Sequence, residues 1–261
     1  MINFLILCAG QGTRLKPLTN NIPKALINFN SKRLLDFQLE NLYKKKRIKK
    51  IFIATGYKHK KFKKYKEKKI FIKDFKEKNM LHSLIKSLKV IGNKNDIIIS
   101  YGDIIYNSQI LNKIIKSKNN FSVISDKSYF NLWSERLENP LNDLETFICD
   151  KKNFLTEIGK KAENYKTIQG QYIGIFKIKK FFFSKILECY KKKKYFLPKK
   201  KFDRLDITTF IQFLIESGYK IKVLNVYSGW LEFDTYRDWK LYKRMIKNKK
   251  KIKKLNLHEF V

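Results

Sequence analysis

The sequence predicts an α/β fold built on one doubly wound, mostly parallel sheet. Apolar runs of strand length alternate with segments that carry apolar residues at helical spacing, most clearly in the first half of the chain. This alternation is typical of a parallel sheet with helices on its faces. The 261 residues are 43% hydrophobic and 15% aromatic, which is enough for a substantial core and excludes global disorder.

The predicted elements of the first half begin with a buried strand over 4–8, which leads into a glycine-containing turn. They continue with a helix over 34–44, strands over 51–57 and 70–75, a helix over 79–91 with Asn79 as its N-cap, and a strand over 96–106. In doubly wound sheets, ligands bind beyond the carboxyl ends of the strands. We therefore expect residues 8–14, 56–57 and 102–103 to meet on one rim.

The second half is less regular. It predicts a strand over 121–126, a hairpin or paired strands formed by 156–161 and 168–178, and helices over 181–190 and 207–217, the second capped by Asp206. A strand over 219–227 and a short strand followed by a helix over 229–246 complete the series. Since no linker, repeat or low-complexity tract divides the chain, we assign one domain to 1–250 and a basic C-terminal tail to 251–261.

The charge balance permits two interpretations. Lys and Arg number 59 against 23 Asp and Glu, a formal net charge of +36. Such an excess is typical of nucleic-acid binders, but it also arises from a lysine-rich solvent-facing surface. The basic runs are scattered and carry apolar residues at helical or strand spacing, which favours the surface interpretation, so no nucleic-acid partner is expected.

Three cysteines, Cys8, Cys149 and Cys189, are widely spaced and form no CxxC pair or metal-binding pattern. This usage favours a reducing, cytoplasmic setting. No signal-like segment precedes Phe4 and no apolar run reaches membrane-spanning length, so no membrane association is expected.

The stretch from residue 4 to 26 carries the most specific chemistry. Gly10 and Gly12 lie in a turn where glycines allow main-chain N–H groups to approach an anion. Arg14 adds a planar fork of donors and Lys24 a compact positive charge, both suited to phosphate oxygens. The local chemistry predicts a polyphosphate site.

This stretch resembles the signature of the nucleotidyltransferase superfamily that activates sugar phosphates and related phospho-compounds. The matching residues are Leu7, Ala9, Gly10, Gly12, Thr13, Arg14, Leu15, Pro17, Leu18, Thr19, Pro23, Lys24 and Leu26, with Cys8 where alanine is more usual. Further similarity covers Gly56, Tyr57, Asn79, Ser83, Asp103 and 230–235. The resemblance implies a Rossmann-like, GT-A-like fold in which an acceptor phosphate attacks the α-phosphorus of a nucleoside triphosphate and releases pyrophosphate.

The resemblance also implies residue roles. Arg14 would neutralise the leaving pyrophosphate, and Lys24 would hold the α-phosphate and the acceptor phosphate together. Asp103 and Asp234 would bind Mg²⁺, with Glu232 assisting or replacing one of them. The nucleotide would contact Leu7, Ala9, Gly10, Gly12, Thr13, Gly56, Tyr57, Asn79 and Ser83. Purely structural alternatives stand beside these roles, because Asp103, Asp234 and Asn79 could instead cap helices or turns.

Among branches of the superfamily, the chain most resembles the phosphocholine cytidylyltransferases and relatives that act on other small phosphorylated compounds. CTP is therefore favoured, with phosphocholine, phosphoglutamine or a similar acceptor, for capsule or surface-polysaccharide modification. Aromatic faces and carboxylates suit a cationic headgroup, and Arg136 would suit a carboxylate. The candidate acceptor residues are Trp133, Arg136, Glu145, Tyr172, Asp206 and Glu232, within a pocket that inserted strands of the second half would shape.

Two alternatives remain open. A hexose-1-phosphate nucleotidyltransferase using UTP, GTP or dTTP would carry the same opening signature. A non-catalytic nucleotide- or nucleic-acid-binding module would need a lost metal site or a broken signature, and neither is seen in the sequence.

Overall fold

The computed structural model describes residues 1–261. Its central feature is a seven-stranded sheet. The strands of the chain are β1 Ile2–Cys8, β2 Asn28–Phe29, β3 Lys32–Arg33, β4 Ile48–Thr55, β5 Lys68–Phe71, β6 Asp96–Tyr101, β7 Ile104–Tyr106, β8 Phe121–Asp126, β9 Glu145–Cys149, β10 Leu155–Lys161, β11 Gln171–Ile178, β12 Lys222–Val226 and β13 Trp230–Glu232. The helices are α1 Leu34–Tyr43, α2 Met80–Ile91, α3 Ser108–Lys116, α4 Tyr129–Arg136, α5 Phe183–Phe196, α6 Lys199–Asp203, α7 Ile207–Glu216, α8 Tyr236–Met245 and α9 Lys249–Lys254.

The seven-stranded sheet has the order β12-β8-β11-β6-β1-β4-β5. All neighbours are parallel except β11, which runs antiparallel to both β6 and β8. All seven residues of β1 are buried, as expected for a strand that is covered on both faces. Phe4 and Ile6 pack into one core cluster while Leu5 and Leu7 pack into the other, because successive strand side chains point to opposite faces. The predicted doubly wound, mostly parallel fold is confirmed.

Gly102 and Asp103 follow the end of a strand, as expected, but the prediction of one strand over 96–106 is wrong, since the structure divides it into β6 and β7 at these two residues. A Cβ on Gly102 would lie 2.7 Å from Leu7 O and from Cys8 Sγ, so only glycine allows this bend to lie against β1. After the bend, β7 pairs antiparallel with β13. The Phe233 N–H also donates to Asp103 O at 2.9 Å. The bend thus brings residue 103 beside the segment that follows β13.

The predicted pairing of 156–161 with 168–178 is also wrong. Residues 156–161 lie in β10, which pairs with β9 in a separate two-stranded sheet, while β11 joins the central sheet. The strand predicted over 70–75 ends earlier, at Phe71, and α3 was not predicted. The helical signal of α3 was present, because Ile110, Leu111, Ile114 and Ile115 are buried at helical spacing.

Packing continues to the last residues of the chain. Ile252, Leu255, Leu257 and Phe260, which lie in the segment assigned as a basic tail, are all buried in the core. The ring of Phe260 packs edge-on against Phe37 of α1, with centroids 6.0 Å apart. No helix combines the length and the apolar character needed to cross a membrane.

Candidate active site

Four side chains predicted to bind phosphates or Mg²⁺ meet beyond the carboxyl ends of β1, β6 and β13. Lys24 Nζ lies 2.8 Å from Asp103 Oδ2 and 3.2 Å from Asp234 Oδ1. Arg14 Nη2 lies 2.7 Å from the same Asp234 oxygen. Lys24, Asp103 and Asp234 each expose only 16% of their side chains, whereas Arg14 exposes 68%. The structure therefore brings these four residues together.

The electrostatics of this cluster keep Lys24 charged. Burial alone would lower the pKa of Lys24, but the charges of Asp103 and Asp234 outweigh it, so the pKa lies above its ordinary value. For Glu232, burial raises the pKa to about 7, and the charges of Asp103 and Asp234 add to the rise against an opposing effect of Arg136. The cluster is thus a fixed cation held between carboxylates.

The turn after β1 presents main-chain donors to this cluster. The amide groups of Gly10, Gln11 and Gly12 donate to no backbone carbonyl. Gly12 has a φ of 71°, and Thr19 Oγ1 donates to its carbonyl at 2.8 Å. A Cβ on Gly12 would lie 2.9 Å from Lys24 Cβ, so glycine permits both the left-handed backbone and the close approach of Lys24. These amides can receive an anion.

Two cavities meet at the cluster. One, of about 330 Å³, is formed by the turn and the start of α2, and its lining includes Leu7, Gly10, Gly12, Thr13, Asn79 and Gly102. The other, of about 430 Å³, opens toward the second half of the chain. Arg14, Lys24, Asp103 and Asp234 line both, so the cluster lies where two bound molecules would meet.

The second cavity is acidic and aromatic. Its lining includes Tyr101, Trp133, Asp143, Glu145, Tyr172, Asp206 and Glu232. The indole of Trp133 donates to Asp143 at 3.1 Å, and the rings of Tyr101 and Tyr172 meet edge-on at 5.9 Å. Burial raises the pKa of Glu145, and the charge of Asp206 adds to that effect. The hydroxyl of Tyr172 is buried without a hydrogen-bond partner. A positively charged group would be stabilised here.

Four residues predicted to contact the nucleotide do not line either cavity. Ala9 O accepts from Tyr57 N at 3.0 Å, and the Tyr57 hydroxyl donates to Asn20 O at 2.7 Å. A Cβ on Gly56 would lie 2.6 Å from Ala9 O, so this glycine packs directly behind the turn. Ser83 is buried in α2. Ala9, Gly56 and Tyr57 hold the turn in place from behind.

Arg136 is also outside the cavities, contrary to its prediction as an acceptor residue. Its guanidinium is 4% exposed and lies 3.1 Å from both Glu232 and Asp238. It also lies over the ring of Trp133, 4.8 Å from the centroid. Asp238 in turn accepts from the backbone and hydroxyl of Thr235, at the start of α8. Arg136 therefore fixes the segment that carries Asp234.

Asn79 and Asp206 combine a capping contact with a place in the cleft. Asn79 accepts from the Met80 N–H at 2.8 Å at the start of α2, and Asp206 accepts from the Thr209 N–H at 2.6 Å at the start of α7. Sequence reasoning missed Met80, Tyr101 and Thr208, which also line the acidic cavity. Tyr101 had a usable signal, because it immediately precedes Gly102 and Asp103 at a strand end.

The residues predicted to hold Mg²⁺ suit a hard cation. Asp103 and Asp234 offer only oxygen donors, and Asp103 Oδ1 is buried without a hydrogen-bond partner. No group of three or more His, Cys, Asp or Glu side chains in the chain is arranged to hold a metal ion. Mg²⁺ commonly binds through one or two carboxylates together with phosphate oxygens and water, so these two aspartates fit it.

Comparison with known proteins agrees with this geometry. A family model described as nucleotidyl transferase matches residues 3–129. The chain is also 36% identical over 248 residues to a CTP:phosphoglutamine cytidylyltransferase of Campylobacter jejuni, covering 91% of this chain and 97% of that protein. The chain belongs to the nucleotidyl transferase family. The predicted superfamily is confirmed.

Two further comparisons of this nucleotidyl transferase are with cytidylyltransferases of Streptococcus pneumoniae. A choline-phosphate cytidylyltransferase of Streptococcus pneumoniae is 50% identical over 64 residues, which are 24% of this chain and 28% of that protein. The solved structure of a CTP:phosphocholine cytidylyltransferase from Streptococcus pneumoniae superposes with a TM-score of 0.73 at 22% identity, covering 94% of this chain and 99% of that one. This likeness confirms the fold.

Proposed function

We propose that this nucleotidyl transferase transfers CMP from CTP to a small phosphorylated acceptor and releases pyrophosphate. The observation that carries the proposal is the position of Lys24, which bridges Asp103 and Asp234 where the two cavities meet. The 36% identity to a CTP:phosphoglutamine cytidylyltransferase along nearly the whole chain supports CTP as the donor and a small phospho-compound as the acceptor. Use of the product in capsule or surface polysaccharide stays a prediction.

The reaction forms a bond between an acceptor phosphate oxygen and the α-phosphorus of CTP. The bond from the α-phosphorus to the bridging oxygen breaks, and its electron pair leaves with pyrophosphate. Catalysis of such a step rests mainly on positioning and charge stabilisation. The amides of Gly10 and Gly12 would bind triphosphate oxygens, and the exposed guanidinium of Arg14 would turn from Asp234 toward the leaving pyrophosphate.

Lys24 would stabilise the negative charge that builds on the α-phosphoryl group. Without substrates its charge is shared between Asp103 and Asp234. Phosphate oxygens from either cavity can reach the same ammonium group, because Lys24 lines both. Asp103 and Asp234 would hold Mg²⁺, which when bound supplies positive charge that neutralises phosphate oxygens.

The acidic cavity supports an acceptor with a positively charged group at the end away from its phosphate. Asp143, Glu145 and Asp206 supply negative charge, and Trp133 and Tyr172 supply aromatic surface. Phosphocholine and phosphoglutamine both carry such a group, whereas a hexose-1-phosphate does not. The cavity therefore favours an aminated acceptor over the sugar alternative.

A pyrophosphate-release screen tests this proposal. CTP, UTP, GTP and dTTP are each paired with phosphocholine, phosphoglutamine, 2-aminoethylphosphonate and glucose-1-phosphate in the presence of Mg²⁺. We expect turnover with CTP and an aminated acceptor. If turnover is highest with glucose-1-phosphate and a triphosphate other than CTP, the proposed substrates are wrong. If the protein binds no triphosphate, the proposed enzymatic activity is wrong.

A substitution in the acidic cavity tests the acceptor group. Glu145→Gln should raise the KM for the aminated acceptor roughly tenfold, the value of one hydrogen bond to a charged group, and leave the KM for CTP nearly unchanged. Glu138→Gln is the matched control, because Glu138 is exposed and lines neither cavity. Equal KM values for the acceptor in the two variants would contradict the role of Glu145.

A further inference from the structure

A third cavity lies on the opposite side of the first turn of α2 from the active site. Its volume is about 460 Å³, and it is lined by residues of α2, α5 and α6 together with Lys78 and Leu197. One carboxylate, that of Asp203, is part of its lining. Five of its eleven lining residues are lysines, namely Lys78, Lys86, Lys89, Lys194 and Lys199. The cavity is therefore strongly basic even for this chain.

Most of this charge lacks a carboxylate partner. Asp203 pairs with Lys78 at 3.0 Å, and Asp74, just behind the lining, pairs with Lys86 at 2.7 Å. The ion pairs of the chain include none at Lys89, Lys194 or Lys199. Three cations that face one cavity repel one another, and an anion bound between them would remove that repulsion.

The floor of the cavity is apolar. Its members are Ile85, Tyr190, Leu197 and Phe202, and the rings of Tyr190 and Phe202 pack with centroids 4.9 Å apart. A purely inorganic anion would leave this surface unused, whereas an organic phosphate would use both parts. The lysines would bind phosphate oxygens, and the floor would bind a ring or an alkyl group.

We propose that this basic cavity is a second binding site for a phosphate-bearing organic anion, separate from the triphosphate site. The site does not depend on the proposed reaction, because its residues touch neither Lys24 nor the two aspartates around it. Two sources share this chemistry. One is a free nucleotide or other soluble phosphate, and the other is the headgroup of an anionic lipid.

The lipid source is included because of the segment beside the cavity. Tyr195 and Phe196 are 86% and 72% exposed, and they lie between Lys194 and Leu197, which line the cavity. Exposed aromatic rings flanked by lysines are typical of segments that bind anionic membrane surfaces. The experiment therefore includes both a soluble probe and a vesicle probe.

The test variant is Lys89→Glu/Lys194→Glu, and the control is Lys249→Glu/Lys250→Glu on α9, which makes the same change in net charge at exposed positions. Lys89 and Lys194 were chosen because the hydrogen bonds that hold Asn79, which lines the active site, are made by other residues. Its N–H donates to Asp203 O and its side chain donates to Arg204 O, both at 2.9 Å. Basal turnover should therefore be the same in both variants.

The soluble probe is CDP, measured by calorimetry. We expect the wild type and the control to bind one more CDP molecule than the cavity variant, whether or not CDP also binds at the active site. The vesicle probe is phosphatidylglycerol compared with phosphatidylcholine, measured by co-sedimentation. If the source is a lipid, the cavity variant should bind phosphatidylglycerol at least roughly tenfold more weakly than the control, since the loss of even one charged hydrogen bond is worth about that factor. Loss in either experiment supports the site, and equal behaviour of both variants in both experiments overturns it.

Discussion

Replacement of Arg136 by alanine tests whether this residue binds the acceptor, as the sequence predicted, or stabilises the fold through Glu232 and Asp238, as its contacts indicate. The guanidinium is 4% exposed and contacts Asp238, which is 6% exposed, and Glu232, which is 29% exposed. Removal of one partner of a buried ion pair costs about 3–5 kcal/mol, because the remaining charge stays buried. For a chain of this size each kcal/mol lowers Tm by roughly 2–4 °C, so Arg136→Ala should lower Tm by about 6–20 °C.

The assay is thermal unfolding followed by tryptophan fluorescence, together with acceptor KM measured well below the unfolding temperature. Arg14→Ala is the control, because Arg14 is 68% exposed and a surface ion pair contributes about 0–1 kcal/mol. Arg136→Lys should recover only part of the loss, since lysine keeps the charge but not the planar fork. An Arg136→Ala protein with wild-type stability and a raised acceptor KM would refute this reasoning and restore the acceptor role.

Three further predictions concern the cluster around Lys24. Asp103→Asn should abolish pyrophosphate release while the protein stays folded, because Lys24 keeps Asp234 as a partner. Retained full activity would remove Asp103 from the site. Burial raises the pKa of Glu232 to about 7, above the ordinary 4.5. Between these two pH values the folded state binds more protons than the unfolded state, so the free energy of unfolding falls as the pH rises. In Glu232→Gln this fall should be absent from a pH series of urea midpoints, and identical slopes would contradict it. Gly12→Ala places a side chain at a left-handed φ of 71° and in contact with Lys24, and it should lower the free energy of unfolding by about 1–2 kcal/mol. It should also lower kcat strongly, because the turn would be displaced, and a wild-type kcat would contradict this fit of the turn.

The sequence predicted the fold well where one residue pattern had one structural solution. Residues 4–8 of β1 are apolar at every position, which is typical of a strand that is covered on both faces. The helix at α2 had both periodicity and the Asn79 cap. Gly102 marked a strand end in the sequence, but the return of the chain as β7 was not predictable, because the pairing of β7 with β13 is a tertiary contact that no local pattern records.

The candidate site was predictable where its residues follow strand ends or belong to the signature, but not where packing decides the role of a side chain. The glycine turn follows β1 and Asp103 follows β6, so topology brings them to one rim. Asp234 was assigned through the resemblance to the nucleotidyltransferase signature, and the structure brings it to the same place. Arg136 was misplaced because its type suits an acceptor carboxylate equally well as a buried ion pair. Only packing distinguishes the two, through the contacts with Glu232 and Asp238.

The distribution of charge suggests how two anionic substrates would be sorted between the two cavities. The chain as a whole carries +36, so any phosphate compound is drawn toward it. The cavity at the glycine turn offers free amides and cations, which suits a molecule that is anionic along its triphosphate. The other cavity places Asp143, Glu145 and Asp206 behind the shared Lys24. A triphosphate in that cavity would meet these carboxylates, whereas an acceptor with a cationic end would be attracted at both ends. On the proposed function, local negative charge in a basic protein therefore excludes the wrong substrate as much as it binds the right one.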